Sequence, residues 1–466
     1  MEAKSVFGVY GLGVMGSSIS LNIADKGYAL SVCNRTEAGE ETVVKDFMDT
    51  HMLRKNIQGF TDLKNFVVSL QRPRKILLMI KAGSTVDLVL DQLIPLLSKG
   101  DVIIDGGNSH YLNTKRRYEL AGSHGIEFIG AGISGGEEGA RKGPSIMPGG
   151  TKESYDLVAG VLESIAAPDD SGKTCCAYIG PDGAGHFIKM VHNGIEYVEM
   201  QLLAEVYALM SVNMPYDEMA STLEDWNQGE SSSYLLEITV KILRKKEGDA
   251  YLLDLILDKA GNKGTGSWSS KAALDLGVPS TMMSKAVFAR YISSLKEQRE
   301  KYSKFAAPSR HQKKSPDLSL LRKAYHFARV INHQQGFQLM ELASETYGWE
   351  LNFSEIARIW SNGCIIKSDL MNVLHDCFKE QSGLLDMPEM TDQLIKNEKA
   401  VKKVLAYGLK QRLSLHCFSS AYYYWVDMTT NKLPANLIQA QRDFFGAHTY
   451  QRNDRSDDQF FHTQWV

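Results

Sequence analysis

Directly behind the first apolar run of the chain, residues 6–10, stand Gly11-Leu12-Gly13-Val14-Met15-Gly16, and a helical stretch follows them. Glycines at this spacing let the backbone turn tightly and approach a pyrophosphate, which then meets the N–H groups of a helix N-terminus. Such a hexapeptide alone is common. Behind the first strand of a strand–helix alternation it predicts a dinucleotide site. Further apolar runs at 29–33, 75–80, 102–105 and 126–131 alternate with helical stretches and glycine turns. Several are apolar throughout, as strands covered on both faces require, so a parallel, doubly wound α/β sheet is expected.

The texture changes near residue 183. Long helical patterns dominate from Ala184 onward, which places a boundary in the turn at 180–185 and a large all-α region behind it. At 466 residues the chain is too long for one ordinary core. The polar, basic stretch 299–317 reads as a solvated loop or helix end. A faint repeat, Met200-x-Leu202-x-x-Glu205-x-Tyr207 against Met340-x-Leu342-x-x-Glu345-x-Tyr347, suggests a duplicated helical unit.

Composition excludes several roles. A formal net charge of -3 gives no basic field for nucleic acid. There is no uncharged run near the ~20 residues that a membrane span needs. The N-terminus runs straight into a strand without a signal core. Six cysteines lack CxxC spacing and read as reduced thiols of a cytoplasmic chain.

The end of the second strand bears on the cofactor. Sites for NAD usually place Asp or Glu there to accept from the ribose hydroxyl. Here the chain reads Cys33-Asn34-Arg35-Thr36, and Arg35 can pair with a 2′-phosphate and stack on adenine, which favours NADP. Two more loops leave strand ends where ligands collect: Ile80-Lys81-Ala82-Gly83 and Asp105-Gly106-Gly107-Asn108-Ser109. Asn108 is placed to reach both cofactor and substrate.

The chemistry is expected on a helix spanning 184–212. Lys189, His192, Asn193, Glu196 and Tyr197 recur at spacings of three and four, on one face of an otherwise apolar helix. Burying such a stripe needs a polar reason. Lys189 and Glu196 are seven residues apart, about 10 Å of helix rise, so the two proton-handling groups can flank a multi-carbon substrate. Burial lowers the Lys pKa and raises that of Glu, suiting a base and an acid. The alternative reading of the stripe is a structural ion-pair network. No cluster of His or Cys accompanies His192, so no metal is expected. The loop Ser134-Gly135-Gly136 offers backbone N–H groups to a carboxylate. Lys263, Arg290, Arg442 and His448 are basic residues that gain interest only together.

The segments GLGVMG, CNRT, IKAG, IIDGGNS, ISGGEEGARKGPSIMPGG, GAGHFIKMVHNGIEYVEMQ, NKGTGSW, AVFARYISSLK and AQRDFFGAHTYQR occur in this order. They resemble the 6-phosphogluconate dehydrogenase family over nearly the whole chain. The resemblance implies a Rossmann-like NADP-binding domain at 1–183, an all-helical catalytic and dimerisation domain at 184–435, and a C-terminal tail at 436–466 reaching a partner in a homodimer. It implies oxidative decarboxylation of 6-phosphogluconate to ribulose 5-phosphate, with Lys189 as base and Glu196 as acid. Implied substrate contacts are Asn108, Ser134, Gly135, Gly136, His192, Asn193, Tyr197, Lys263 and Arg290, with Arg442 and His448 arriving from the second subunit. Implied cofactor contacts are residues Gly11 to Gly16, Asn34, Arg35, Thr36, Ile80, Lys81, Ala82 and Asn108. Three departures stand out. Gly13 replaces a frequent Ala, and Ser267 a frequent Lys. The chain also stops soon after His462-Thr463-Gln464-Trp465, so a cofactor contact made by longer tails is expected to be absent. The readings that compete are a dehydrogenase of smaller, unphosphorylated 3-hydroxy acids and a non-catalytic NADP sensor.

Overall fold

A computed structural model of the chain describes residues 4–261, 264–306, 317–380 and 383–466. Seven strands form one sheet: β1 (Phe7–Tyr10), β2 (Leu30–Cys33), β3 (Ile57–Phe60), β4 (Lys75–Leu78), β5 (Val102–Asp105), β6 (Glu127–Ser134) and β7 (Ser145–Gly149). Their order is β3-β2-β1-β4-β5-β6-β7.

Residues alternate between two cores along the strands. Phe7, Val9, Leu30, Val32, Leu77, Val102 and Ile104 face the helices Val14–Asp25 and Lys152–Ile165. Tyr10, Cys33, Ile76, Leu78 and Ile103 face Ser84–Leu93 and Tyr111–Ser123. Apolar residues on both faces are what a doubly wound, Rossmann-like sheet needs.

Two corrections concern the sheet. It is not wholly parallel: β7 runs antiparallel to β6. The reason is length, because the short connection 135–144 cannot make the crossover that a parallel neighbour requires. Strands β3 and β7 were also absent from the sequence expectation. β3 reads IQGF and buries only Ile57 fully, as an edge strand can. β7 reads SIMPG, and its Pro148 is tolerated because the strand lies at the other edge.

Beyond the sheet the chain is helical, with one further correction: a hairpin of Lys246–Glu247 and Ala250–Tyr251 interrupts it. Two long helices, Ala184–Met210 and Leu318–Tyr347, pack against each other at the centre of a third apolar core. The repeated Met–Leu–Glu–Tyr patterns occupy the last turns of both. Part of the basic stretch 299–317 is helical, in Lys296–Ser303, while 307–316 lies outside the described residues. The chain ends in the helix Ala435–Gly446 and a looped tail. Among the described residues no helix is long and apolar enough to cross a membrane. All six cysteines are free.

Helix Ala184–Met210 rides directly on β6 and β7. A Cβ at Gly132 would lie 2.4 Å from the Cβ of Lys189, and one at Gly185 would lie 2.3 Å from the carbonyl oxygens of Gly130 and Met147. Bare backbone at both contacts brings Lys189 to the end of the sheet where the loops gather.

Candidate active site

The loops after β1, β2 and β4 enclose a cleft of about 600 Å³. Gly11, Leu12, Gly13, Asn34, Arg35, Ile80 and Lys81 line it. Val14, Met15 and Gly16 instead begin the helix behind the loop, and Thr36 and Ala82 do not line the cleft. Gly16 still shapes it, because a Cβ there would sit 1.8 Å from the carbonyl oxygen of Gly11. The loop is held from below by Asn34, whose Oδ1 accepts from the Leu12 N–H at 3.0 Å. The volume, the bare glycine backbone and the cation at the end of β2 suit a dinucleotide with its pyrophosphate on the helix N-terminus.

Lys189, His192, Asn193 and Tyr197 are buried where the sequence puts them, while the Glu196 side chain stays 21% exposed. Lys189 is 6% exposed and His192 fully buried. Lys189 Nζ stands 3.4 Å from His192 Nδ1, and Glu196 Oε2 lies 3.8 Å from the same nitrogen. The amine and the carboxyl are therefore no further apart than those two distances together. They meet at the same imidazole nitrogen. On its other side His192 Nε2 meets Ser134 Oγ at 3.2 Å, which ties the stripe to the end of β6 and the Gly135-Gly136 turn.

Burial pushes the Lys189 ammonium below its ordinary pKa, against the opposing pull of Glu196 and Cys364. Burial likewise raises Glu196, partly offset by Lys189 and Arg290. Burial, with Lys189 adding to it, drives His192 well below its ordinary value, so the ring is neutral. A base and an acid thus approach each other in pKa beside a neutral imidazole.

A small recess of about 10 Å³ opens beside the amine, lined by Asn108, Lys189 and Asn193 together with Ser109, His186, Met190, Thr265 and Trp268. Opposite, the Tyr197 ring is held between Gly266, where a Cβ would lie 2.4 Å away, and Arg290, whose guanidinium carbon is 3.5 Å from the ring centroid. Lys263 lies outside the described residues. Arg442 and His448 are exposed on and just after the helix Ala435–Gly446. Among the described residues, no hydrogen bond or ion pair joins them to the group around Lys189.

Three contributors escaped the sequence reading. Arg117 is fully buried, and its guanidinium donates to Gly83 O at 2.7 Å, to Ser109 Oγ at 3.3 Å and to Asp87, tying the β4 loop to the β5 loop. Glu37 and Glu40 line the larger cleft beside Arg35. Among the described residues no group of three or more His, Cys, Asp or Glu is arranged to hold a metal ion.

Comparison with known proteins adds a separate line of support. Residues 6–180 match the NAD binding domain of 6-phosphogluconate dehydrogenase, and residues 185–465 match the C-terminal domain of 6-phosphogluconate dehydrogenase. The chain is 46% identical to the decarboxylating 6-phosphogluconate dehydrogenase of Escherichia coli K12, with 100% of both covered. It is 46% identical to a Bacillus subtilis relative named NAD(+)-dependent, with 98% of each covered. Among solved structures, 6-phosphogluconate dehydrogenase of Plasmodium falciparum, studied with NADP+ and with 6-phosphogluconate, superposes with a TM-score of 0.93 at 38% identity, covering 99% of this chain and 100% of that one.

Proposed function

The chain belongs to the 6-phosphogluconate dehydrogenase family, and on that premise we propose that it converts 6-phosphogluconate to ribulose 5-phosphate and CO2 with NADP as electron acceptor. The observation that carries this reading is the meeting of Lys189 and Glu196 at one buried, neutral histidine. Neutral Lys189 takes the proton of the substrate's 3-hydroxyl. The nicotinamide, when bound, supplies the acceptor for the hydride leaving that carbon. Protonated Lys189 then polarises the new ketone, which accepts the electron pair released as the carboxylate departs as CO2. Glu196 delivers a proton to C1 of the enediol while the enol hydroxyl on the former ketone oxygen gives its proton to Lys189, yielding the ketose.

Asn108, the Ser134-Gly135-Gly136 turn, His192, Asn193 and Tyr197 are assigned to the sugar acid, with Lys263 and Arg290 towards its anionic ends. Arg442 and His448 are assigned to the neighbouring subunit's site in a homodimer with the three-part division 1–183, 184–435 and 436–466. Support for the dimer is the exposure of both residues on an arm that also exposes Leu437, Ile438, Phe444 and Phe445. Gly11, Leu12, Gly13, Asn34, Ile80 and Lys81 are assigned to the dinucleotide, and Arg35 to the 2′-phosphate that distinguishes NADP.

Mixing the protein with 6-phosphogluconate and NADP, and following NADPH absorbance together with CO2 release, tests the reaction. A folded sample that binds nucleotide yet forms neither product would leave a sensor. Arg442→Ala is expected to raise the KM for 6-phosphogluconate about 10-fold or more, the scale of a lost charge-assisted pair, with the KM for NADP unchanged. An unaltered substrate KM would leave Arg442 without a part in holding the phosphate and favour an unphosphorylated 3-hydroxy acid. Gly132→Ala is expected to displace Lys189 from the sheet end. It should destabilise by about 1–3 kcal/mol through overpacking and lower kcat more than it raises KM, as read by thermal melts and steady-state rates.

A further inference from the structure

We propose that Glu40, seconded by Glu37, sets the nucleotide preference of this site by occupying Arg35 in the place of a ribose 2′-phosphate. The inference rests on the reading of Arg35 given above and deepens it. The guanidinium is not presented bare to the cleft. Its Nε donates to Glu40 Oε2 at 3.0 Å and one terminal nitrogen to Glu40 Oε1 at 2.9 Å. The other terminal nitrogen meets Glu37 Oε2 at 2.9 Å. This is the two-pronged fork with which arginine otherwise grips a phosphate.

Glu40 is built into the site rather than met by chance on the surface. Its Oε2 also accepts from Asn34 Nδ2 at 3.1 Å, and the same Asn34 side chain holds the Leu12 N–H of the glycine loop. Its own backbone N–H donates to Glu37 O at 2.8 Å, closing a turn that brings both carboxylates to one guanidinium. Arg35, Glu37 and Glu40 all line the cleft.

One positive charge therefore faces two negative ones. A 2′-phosphate must displace at least the Glu40 carboxylate and then sit beside two anions. The 2′-hydroxyl of NAD displaces nothing, and it finds carboxylate acceptors of the type NAD sites place at this strand end. The side chains of Arg35, Glu37 and Glu40 are 44%, 68% and 36% exposed, so each pair is individually weak and screened by solvent. Displacement is then an affordable step rather than a barrier. The consequence is a site that accepts both cofactors and discriminates weakly between them, with residues 37 and 40 setting the balance.

The test measures binding apart from turnover. Calorimetric titration of the parent, Glu40→Gln and Glu37→Gln with adenosine 2′,5′-bisphosphate and with 5′-AMP isolates the phosphate contact, and steady-state rates with NADP and NAD follow. Each variant is expected to bind the bisphosphate about fivefold tighter, the upper scale of an exposed ion pair, with AMP affinity unchanged and the NADP-to-NAD ratio of kcat/KM shifted the same way. A Glu40→Gln that weakens both fragments alike would make Glu40 a support for the loop and overturn the proposal. Should that variant fail to fold, Glu37→Gln decides alone, because Glu37 takes no bond from Asn34. Arg35→Ala separates this from the underlying reading: unchanged bisphosphate affinity there removes Arg35 as the phosphate group, whatever the glutamates do.

Discussion

Replacing Lys189 with methionine is expected to lower kcat/KM for 6-phosphogluconate by about 10³-fold or more, while the protein melts at least as high as its parent. The catalytic loss follows if, as proposed, one amine serves twice, first removing the hydroxyl proton and then polarising the ketone; a single positioned acid or base contributes about 10²–10⁴-fold. The stability gain follows from where that amine sits. Burial holds its folded pKa below the ordinary lysine value. Between the folded pKa and the unfolded value of about 10.4, the unfolded chain binds more protons, so stability rises with pH through that window and is reduced below it. Methionine fills the space without a charge to desolvate. Melting temperatures across neutral to alkaline pH check this: the parent should gain stability with pH by an increment that Lys189→Met lacks. A variant that melts lower at every pH would make Lys189 a structural partner of Glu196, the ion-pair reading of the stripe.

That stripe was legible because polar groups are expensive to bury. A lysine, a histidine, an asparagine and a glutamate recurring every three or four residues among Phe187, Ile188, Val191, Ile195 and Val198 leave few explanations other than a site. The glycine loop was legible for the complementary reason that only a bare backbone fits, as the Gly16 contact shows. What escaped was set by geometry between segments. The direction of β7 depends on the length of the 135–144 connection, and its sequence reads like a loop. Arg117 follows another arginine on a charged helix, and nothing local reveals that it alone turns inward to join two loops. Glu37 and Glu40 stood in view just after Arg35, but their engagement depends on a turn that brings both back to it. The roles proposed for Arg442 and His448 had no signal in the residues themselves, because the proposal assigns them to the site of a second copy. Resemblance supplied them.

Glu196→Gln is expected to cut kcat at the optimum by roughly 10²–10³-fold, the scale of a lost general acid, and to abolish the alkaline limb of the pH profile. On the proposed mechanism the productive form of the parent carries a neutral amine and a protonated carboxyl. Turnover falls at low pH, where both groups hold their protons, and at high pH, where neither does. Burial narrows the interval from both sides by lowering Lys189 and raising Glu196. The two limbs belong to the interacting pair rather than to either residue. Glutamine cannot lose a proton in this range, so the high-pH fall disappears and turnover rises with pH to a plateau. The surviving limb then reports Lys189 alone. It should lie below the alkaline limb of the parent, because Glu196 no longer pulls the amine upward. Rates of ketose formation measured from acid to alkaline pH decide the matter. A bell with both limbs in their original places would mean that another group delivers the proton to C1.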